Sequence, residues 1–598
     1  MSTLATTLLA RLDRSRDQAL FYVMNEAVWP GTEPTGPRIP APEGWTAYGG
    51  ASCLAQVSGL AKRLASLGVG RGVPVAILSD TCHAWAAVDF ATLCLGGITV
   101  GIYPSLLGAD AVYPAQHAGA KVLVVQNRAQ YDKVKPYLAN LPALAHVVAL
   151  EADAGVPQLL PEAPDEAFLR ARAAEVQPDD IATLIYTSGT TGNPKGVILT
   201  HRIICETTRI VQQIIPMAPG ESSIVALPFA HILQRIAIYQ GLLMDVVGYY
   251  CPTLPELPKV LLLARPELYA TVPRFLEKVR LTAEARVAER GPRALKMLQA
   301  AVATGAAYQE ARRQGHVPLL LKLRHALADR LVLSKIRARL GGRMRLIVSG
   351  GAALNPDVNA WYEAIGIPVR EVWGLTETCG PATLVLPHEW RPGTVGRAIP
   401  EVDLRLDHDG EVLVRGPNVF QGYFRDPDAT AAAMTDDGYF RTGDIGVLDA
   451  DGYLKIVDRK KELIVTAGGK NIAPVPIEKK LEGGLLGQAV VIGSERPFLV
   501  ALFAPDPDVI AAWAKDRGWS GDYATLAARE EVRATFAEKL AEVNRGLPSF
   551  ETVKKFAVLP APLTPETGEL TPTLKLKRRV IAQKYAQQIE AMYAGARD

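Results

Sequence analysis

The sequence predicts an α/β fold. A large N-terminal domain of parallel-rich α/β sheets carries a small β unit, and a smaller, mobile α+β C-terminal domain follows. Three observations predict this. The chain has 598 residues, more than one hydrophobic core organises, so two or more domains are expected. Short apolar runs alternate with amphipathic stretches along most of its length, the pattern of strands and helices built around parallel sheets. The later part is dense in Gly and Asp turns and then changes texture again.

Taken in order, the strand-like runs are residues 73–79 (VPVAILS), 121–126 (KVLVVQ), 147–150 (VVAL), 181–186 (IATLIY) and 345–350 (RLIVSG). Residues 90–109 carry no charge over a membrane-length span. They contain Gly96, Gly97, Gly101 and Pro104 and are flanked by Asp89 and Asp110. They therefore read as a buried helix followed by a buried strand, not a spanning helix. Residues 411–415 (EVLVR) and the turn-rich stretch 437–459 predict the small antiparallel β unit. Beyond Asp458 the pattern becomes α+β and ends in a helical stretch, residues 577–593. The domain boundary falls at 459–461, giving an N-terminal domain of residues 1–458 and a C-terminal lid of residues 459–598.

Composition narrows the function classes. Hydrophobic residues are 48% and charged residues 21%, as in a globular enzyme. The balance of 65 basic to 62 acidic residues, net +3, argues against a dedicated nucleic-acid binder. Six cysteines without a CxxC pair form neither a zinc site nor a disulfide framework, so a reducing compartment is expected. The first residues lack the basic start and apolar core of a signal peptide. The expected location is cytoplasmic.

The densest chemistry lies in residues 186–196, YTSGTTGNPKG. A β-rich run leads into Thr187, Ser188, Gly189, Thr190, Thr191 and Gly192, then Asn193, Pro194, Lys195 and Gly196. Small hydroxyl and glycine residues let backbone N–H groups approach phosphate oxygens, and Lys195 adds a positive charge. The Gly189–Gly192 spacing, and Pro194 ahead of the lysine, exclude the GxxxxGK[ST] loop of switch-type NTPases.

This loop resembles the signature of the adenylate-forming superfamily, which includes acyl-CoA synthetases, luciferases and peptide-synthetase adenylation domains. The likeness extends from about residue 47 to about residue 579, with further motifs in order. SGGAAL, residues 349–354, resembles the adenine-binding segment; its Gly350, Gly351 and Ala352 allow close backbone approach. EVWGLTET, residues 371–378, resembles the YGxTE motif. There Trp373 stacks on adenine beside Gly374, Thr376 meets the α-phosphate, and Glu377 with Thr187 holds Mg²⁺. YFRTGD supplies Asp444 for the ribose hydroxyls, and Arg459 resembles a second ribose contact. Lys461 falls at the interdomain hinge, and Gly468 and Gly469 leave room for the pantetheine arm of CoA. Each role is what the resemblance implies.

Residues 271–279 (TVPRFLEKV), 330–351 and 227–236 (LPFAHILQRI) resemble the long-chain acyl-CoA synthetases in particular. In that group His231 lies by the acyl carboxylate or gates the acyl tunnel, and Gln234 stands where Glu is frequent. The expected activity is AMP-forming ligation of a fatty acid, of the long-chain class, to CoA using ATP. The acid would first become an acyl-adenylate, the small domain would then rotate about Lys461, and a thiol would attack. An acyl-AMP ligase loading a carrier protein and a catalytically silent homologue remain open at this point. So does the catalytic lysine. The tail GELTPTLKLKRRVI, residues 568–581, places either Thr573 or Lys575 at the lysine position, depending on the anchor. Threonine cannot supply the charge, so Lys575 is expected, with Lys577 as the fallback.

One charge feature stands apart. Between Ala311 and Arg345 there are ten basic residues against one acid, Asp329, interleaved with leucines. Such a helix can lie on an anionic membrane surface, giving an expected peripheral membrane contact. A solvated face or a patch serving the CoA phosphates fits the same pattern.

Overall fold

The computed structural model describes every residue except 1, 30–31, 36–37, 188–192, 216, 468–469, 572–573 and 595–598. Among the described residues the chain forms two compact units. One comprises residues up to 404 together with 414–441, and the other comprises 405–413 and everything from 442 onward.

The first unit holds two large sheets. One has six strands in the order His146–Ala149, Val122–Val125, Pro74–Leu78, Ile98–Ile102, Ile181–Thr187, Lys195–Thr200. All neighbours are parallel except the last pair, an antiparallel hairpin. The parallel strands are nearly continuous apolar runs because helices cover both faces. The second sheet has nine strands, and its centre is the parallel set Ser222–Val225, Leu268–Thr271, Leu346–Ser349 and Val369–Trp373. The expected α/β class and parallel-rich sheets are what the structure shows.

The uncharged span 90–109 is a helix, His83–Cys94, followed by a strand, Ile98–Ile102, and both are buried throughout. No helix among the described residues is long and apolar enough to cross a membrane. Asp89, a flank of that span, is itself inside, 1% exposed. Its Oδ1 accepts from Arg235 Nη2 at 3.0 Å, and Tyr239 donates to its Oδ2 at 2.7 Å. Burial works against the charge on Arg235, but Asp89 and Tyr239 outweigh it and keep the guanidinium protonated. A buried ion persists only with such partners.

The second unit is built on a three-stranded sheet, Leu486–Ile492, Leu499–Pro505 and Val553–Val558. Alternation splits its side chains between two cores. Ala489, Val491 and Phe503 pack with helices Pro474–Leu481 and Glu530–Asn544. Val490, Val500 and Leu502 pack with Ile581, Tyr585 and Ile589 of the chain's last helices. The expected C-terminal helix, residues 577–593, is two helices, Arg578–Lys584 and Ala586–Tyr593, separated at the buried Tyr585. Strands Phe440–Leu448 and Leu454–Arg459 pair antiparallel, as the turn-rich stretch predicted.

The basic segment is a helix, Leu319–Ala328, running through a π turn, Asp329–Leu333, into Ser334–Arg339. Leu319, Leu323, Leu327 and Leu331 form a ridge at intervals of four, exposed by 73%, 62%, 60% and 45%. Leu333 is buried, so part of the leucine content serves the core.

Candidate active site

The glycine- and hydroxyl-rich loop joins the two strands of the antiparallel hairpin, and its ends are held by the Thr187↔Lys195 and Tyr186↔Gly196 pairs. Ser188, Gly189, Thr190, Thr191 and Gly192 lie outside the described residues. Tyr186 is buried, its hydroxyl 2.9 Å from His117 Nδ1, which anchors the loop's first strand below the mouth. Thr187 is half-buried and Lys195 exposed.

A segment distant in sequence runs alongside. The Ile198 N–H donates to the Gly422 carbonyl at 3.0 Å and the Phe424 N–H to the Gly196 carbonyl at 2.8 Å, around an antiparallel bridge between Val197 and Tyr423. This pairing delivers Tyr423 to the loop's exit. Lys195 Nζ sits 4.6 Å from the centre of the Tyr423 ring, and the Tyr423 hydroxyl donates to Glu377 Oε1 at 2.9 Å. The Phe420 N–H also donates to the Glu377 carbonyl, at 2.7 Å. One tyrosine therefore links the loop lysine to the candidate metal carboxylate, which is itself 8% exposed.

The adenine-type segments lie at the carboxyl ends of two adjacent parallel strands, Leu346–Ser349 and Val369–Trp373, in register at Ser349↔Glu371. Ligands of open parallel sheets bind at such ends. Gly350 is buried, whereas Gly351 and Ala352 are exposed. Gly351 has φ +84, a conformation glycine adopts without strain. Trp373 ends its strand at 9% exposure. At Gly374 a Cβ would meet the Gly380 carbonyl oxygen at 1.8 Å, so the chain can fold back here only on glycine. The fold-back is the short 3₁₀ turn Thr376–Thr378, fixed by Thr378 Oγ1, which accepts from the Leu375 N–H at 2.8 Å and donates to the Gly380 carbonyl at 2.7 Å. Thr376 is half-buried on that turn.

Glu371, the first residue of the second segment, is buried opposite Ser349. Burial pushes its carboxyl up to about 7, against the pull of the Leu354 N–H, the Asn359 side chain and the Gly393 N–H. Its bond to Leu354 ties the strand to the end of the SGGAAL turn.

His231 caps the helix Ile232–Leu243, its Nδ1 accepting from the Leu233 N–H at 3.1 Å. Gln234 Oε1 accepts from the Leu227 N–H at 2.9 Å and the Ala226 N–H at 3.3 Å. The amide oxygen accepts both bonds, as a carboxylate oxygen would.

In the second unit Asp444 and Arg459 face each other in the hairpin register, with Arg459 Nε 2.6 Å from Asp444 Oδ1. Asp444 is 3% exposed, and the carboxylate is held by a partner that stands at the strand's end. Lys461 is exposed on the turn that follows. Gly468 and Gly469 lie outside the described residues; the Thr466 N–H donates to the Lys470 carbonyl at 3.0 Å on either side of them. Lys575 is exposed near the tip of a tight hairpin. The Thr571 N–H donates to the Lys575 carbonyl at 2.8 Å, and the Lys575 N–H to Thr571 Oγ1 at 3.0 Å. Lys577 is half-buried at the N-cap of the helix Arg578–Lys584. Thr573 lies outside the described residues.

The described part of this arrangement joins a lysine, a tyrosine and a hard carboxylate at the exit of the loop, and the carboxylate follows the strand end at Trp373 by four residues. A model of the AMP-binding enzyme family matches residues 35–424. The family's C-terminal domain matches residues 461–597. The chain belongs to the AMP-binding enzyme family.

This AMP-binding enzyme is 39% identical over 562 residues to the long-chain-fatty-acid–CoA ligase FadD15 of Mycobacterium bovis, covering 92% of each chain. It is 33% identical over 454 residues to human long-chain-fatty-acid–CoA ligase 6, covering 70% of this chain and 62% of that one. Among solved structures it is similar to the adenylation domain of a carboxylate reductase from Mycobacterium chelonae. There the TM-score is 0.75 at 21% identity, over 99% of this chain and 91% of that one. It is also similar to a Mycobacterium tuberculosis fatty acyl CoA synthetase, with a TM-score of 0.63 at 21% identity over 98% and 99%. These structures share the fold.

Two residues of this AMP-binding enzyme escaped the motif reading. Tyr423 lies in FQGYF, outside every motif singled out in the sequence. Glu371 precedes the aromatic position of the EVWG motif and carries no signal of burial. Only strand pairing places either one.

Proposed function

We propose that this AMP-binding enzyme is an AMP-forming acyl-CoA ligase that activates a long-chain fatty acid. The observation that carries the proposal is the Lys195–Tyr423–Glu377 cluster at the exit of the phosphate loop, beside the strand ends bearing Gly350–Ala352 and Trp373. The relatives named as long-chain-fatty-acid–CoA ligases support the substrate class.

A carboxylate resists thiol attack because oxide is a poor leaving group. Its oxygen attacks the α-phosphate of ATP, pyrophosphate departs, and the resulting mixed anhydride accepts the thiol of CoA with AMP leaving. Catalysis is then positioning and charge stabilisation. Thr187, Ser188, Gly189, Thr190, Thr191, Gly192 and Lys195 hold the departing pyrophosphate. Gly350, Gly351, Ala352, Trp373 and Gly374 receive adenine, Thr376 the α-phosphate, and Asp444 with Arg459 the ribose. His231 attends the acyl carboxylate. Lys575 supplies positive charge to the adenylation step, Lys461 is the hinge of a lid spanning residues 459–598, and Gly468 and Gly469 admit the pantetheine arm.

Glu377 and Thr187 present a carboxylate and a hydroxyl oxygen, hard donors that fit Mg²⁺, an ion that needs few protein ligands. When bound, Mg²⁺ neutralises charge on the phosphates. Tyr423 orients Glu377 by occupying one of its oxygens.

The leucine ridge at 319, 323, 327 and 331, set among ten basic residues and a single acid, supports a peripheral contact of residues 311–345 with an anionic bilayer, from which the acid is drawn. The expected location is the cytoplasm and its membrane surface.

The test is pyrophosphate release with ATP and a panel of acids from short to very long and aromatic, with and without CoA. The expected result is release with long-chain acids and acyl-CoA formation when CoA is added. No release with any acid overturns the proposal, and release with transfer only to a carrier protein overturns the choice of CoA.

A further inference from the structure

The hairpin that bears Lys575 is short. It is held by the Leu570↔Leu576 bridge, the Thr571–Lys575 pair and the Lys577 N–H, which donates to the Glu569 carbonyl at 2.7 Å. A hairpin of this size does not hold its own geometry in water. Its base is tied down by Leu570, which packs with Ile581 in an apolar core, by Glu569, which pairs with Lys584, and by the next residue. Arg578 donates from Nη1 and Nη2 to the two oxygens of Glu478, at 2.6 and 2.7 Å, and from Nε to Glu462 at 3.3 Å.

Both partners are placed by other elements. Glu478, 3% exposed, lies in the helix Pro474–Leu481, and its Oε1 also accepts from the Val491 N–H of the central sheet at 2.7 Å. Glu462 follows Lys461 by one residue. Asp458, 4% exposed, adds a third carboxylate to the field at Arg578, while itself accepting from the Arg459 and Val475 N–H groups. Burial works against the charge on Arg578, but Glu478, Glu462 and Asp458 outweigh it and hold it protonated. Bidentate arginine–carboxylate pairs fix geometry as well as charge, and lysine cannot reproduce the planar fork.

We propose that Arg578 is a positioning residue. It latches the Lys575 hairpin to the chain segment just beyond Lys461, so that the lysine moves as one piece with the residues that follow the hinge. The latch rests on Lys575 serving the adenylation step as proposed above.

The experiment compares full-length Arg578→Lys, Glu462→Gln, Lys575→Ala and Leu540→Ala enzymes. Leu540 lies in the unit's other apolar core and controls for loss of stability alone. Three readouts are taken: adenylation by ATP–pyrophosphate exchange, thioester formation from supplied acyl-adenylate, and amide hydrogen exchange. A misplaced catalytic group costs rate without costing binding. Arg578→Lys is expected to lower the adenylation kcat by about tenfold or more while KM for ATP stays within about twofold. Thioester formation is expected to hold. Exchange at the Lys575 and Lys577 amides should quicken while that of strands Leu486–Ile492 and Leu499–Pro505 does not. Glu462→Gln should show the same selectivity at about threefold, and it carries the test if Arg578→Lys does not fold. Equal loss of both half-reactions, the same selective loss in Leu540→Ala, or wild-type adenylation by a folded Arg578→Lys enzyme overturns the latch. Undiminished adenylation by Lys575→Ala instead overturns the role of Lys575, and the latch with it.

Discussion

The hydroxyl of Tyr423 donates to Glu377 Oε1 at 2.9 Å while Lys195 Nζ lies 4.6 Å from the centre of the same ring. Lys195 and Glu377, 182 positions apart in sequence, thus share one aromatic side chain. The ring limits where the lysine can go, and the hydroxyl limits how the carboxylate turns.

Removing that hydroxyl tests its role. Tyr423→Phe keeps the ring beneath Lys195 and loses the hydrogen bond to a charged acceptor, typically worth about 1.5–3 kcal/mol. We expect adenylation kcat/KM for ATP to fall about tenfold or more, with a rise in the Mg²⁺ concentration needed for half-maximal rate. Unchanged magnesium dependence would show that Tyr423 does not orient Glu377.

Lys575 is separable from Lys577 by the same kind of measurement. Lys575→Ala should lower adenylation by on the order of a hundredfold to a thousandfold, the scale of losing one charge-stabilising group. Thioester formation from supplied acyl-adenylate should be spared. If Lys577→Ala shows that pattern and Lys575→Ala does not, the roles are exchanged.

Glu371 predicts a pH dependence of stability. Its carboxyl is raised from an ordinary value of 4.5 to about 7 by burial. Between those values the folded state binds a proton that the unfolded chain has released, so stability falls as pH rises through this window. Below 4.5 the penalty is absent, and above 7 it is complete, about 3 kcal/mol at most. Glu371→Gln retains an acceptor oxygen and removes the ionisation. It should therefore raise the unfolding midpoint at pH 8 and leave it unchanged near pH 4. A constant difference across that range would show that Glu371 is not the titrating group.

The leucine ridge predicts binding to anionic vesicles. Leu323→Glu with Leu327→Glu removes two exposed apolar side chains, each worth about 1.5–3 kcal/mol when buried, and adds negative charge. Sedimentation with vesicles containing phosphatidylglycerol should lose most of the bound enzyme, while activity on a soluble medium-chain acid is kept. Wild-type enzyme that sediments no better with anionic than with zwitterionic vesicles would remove the membrane contact.

The parallel sheets and the antiparallel pair Phe440–Leu448 with Leu454–Arg459 were legible in short apolar runs and turn residues, because strand period and burial are local properties. The loop at 186–196 was legible for the same reason: phosphate recognition by backbone and hydroxyl groups needs a contiguous run of small residues. The inward placement of Asp89 was not, since only Arg235 and Tyr239, about 150 residues away, make a charge there tolerable. Part of the leucine count in residues 311–345 was likewise ambiguous, and the fold buried Leu333 while leaving Leu319 and Leu323 outside.

The sequence by itself determined the fold class, the strand end that carries Gly350, and the family to which the loop belongs. Those follow from periodicity and contiguous motifs, which a chain carries before it folds. Tertiary structure alone decided that Tyr423 joins Lys195 to Glu377, that Glu371 is buried opposite Ser349, and that Arg578 ties the Lys575 hairpin to Glu478 and Glu462. Each of these depends on strand register or helix packing between distant segments, and pairing energies of that kind are set only when the whole sheet is assembled.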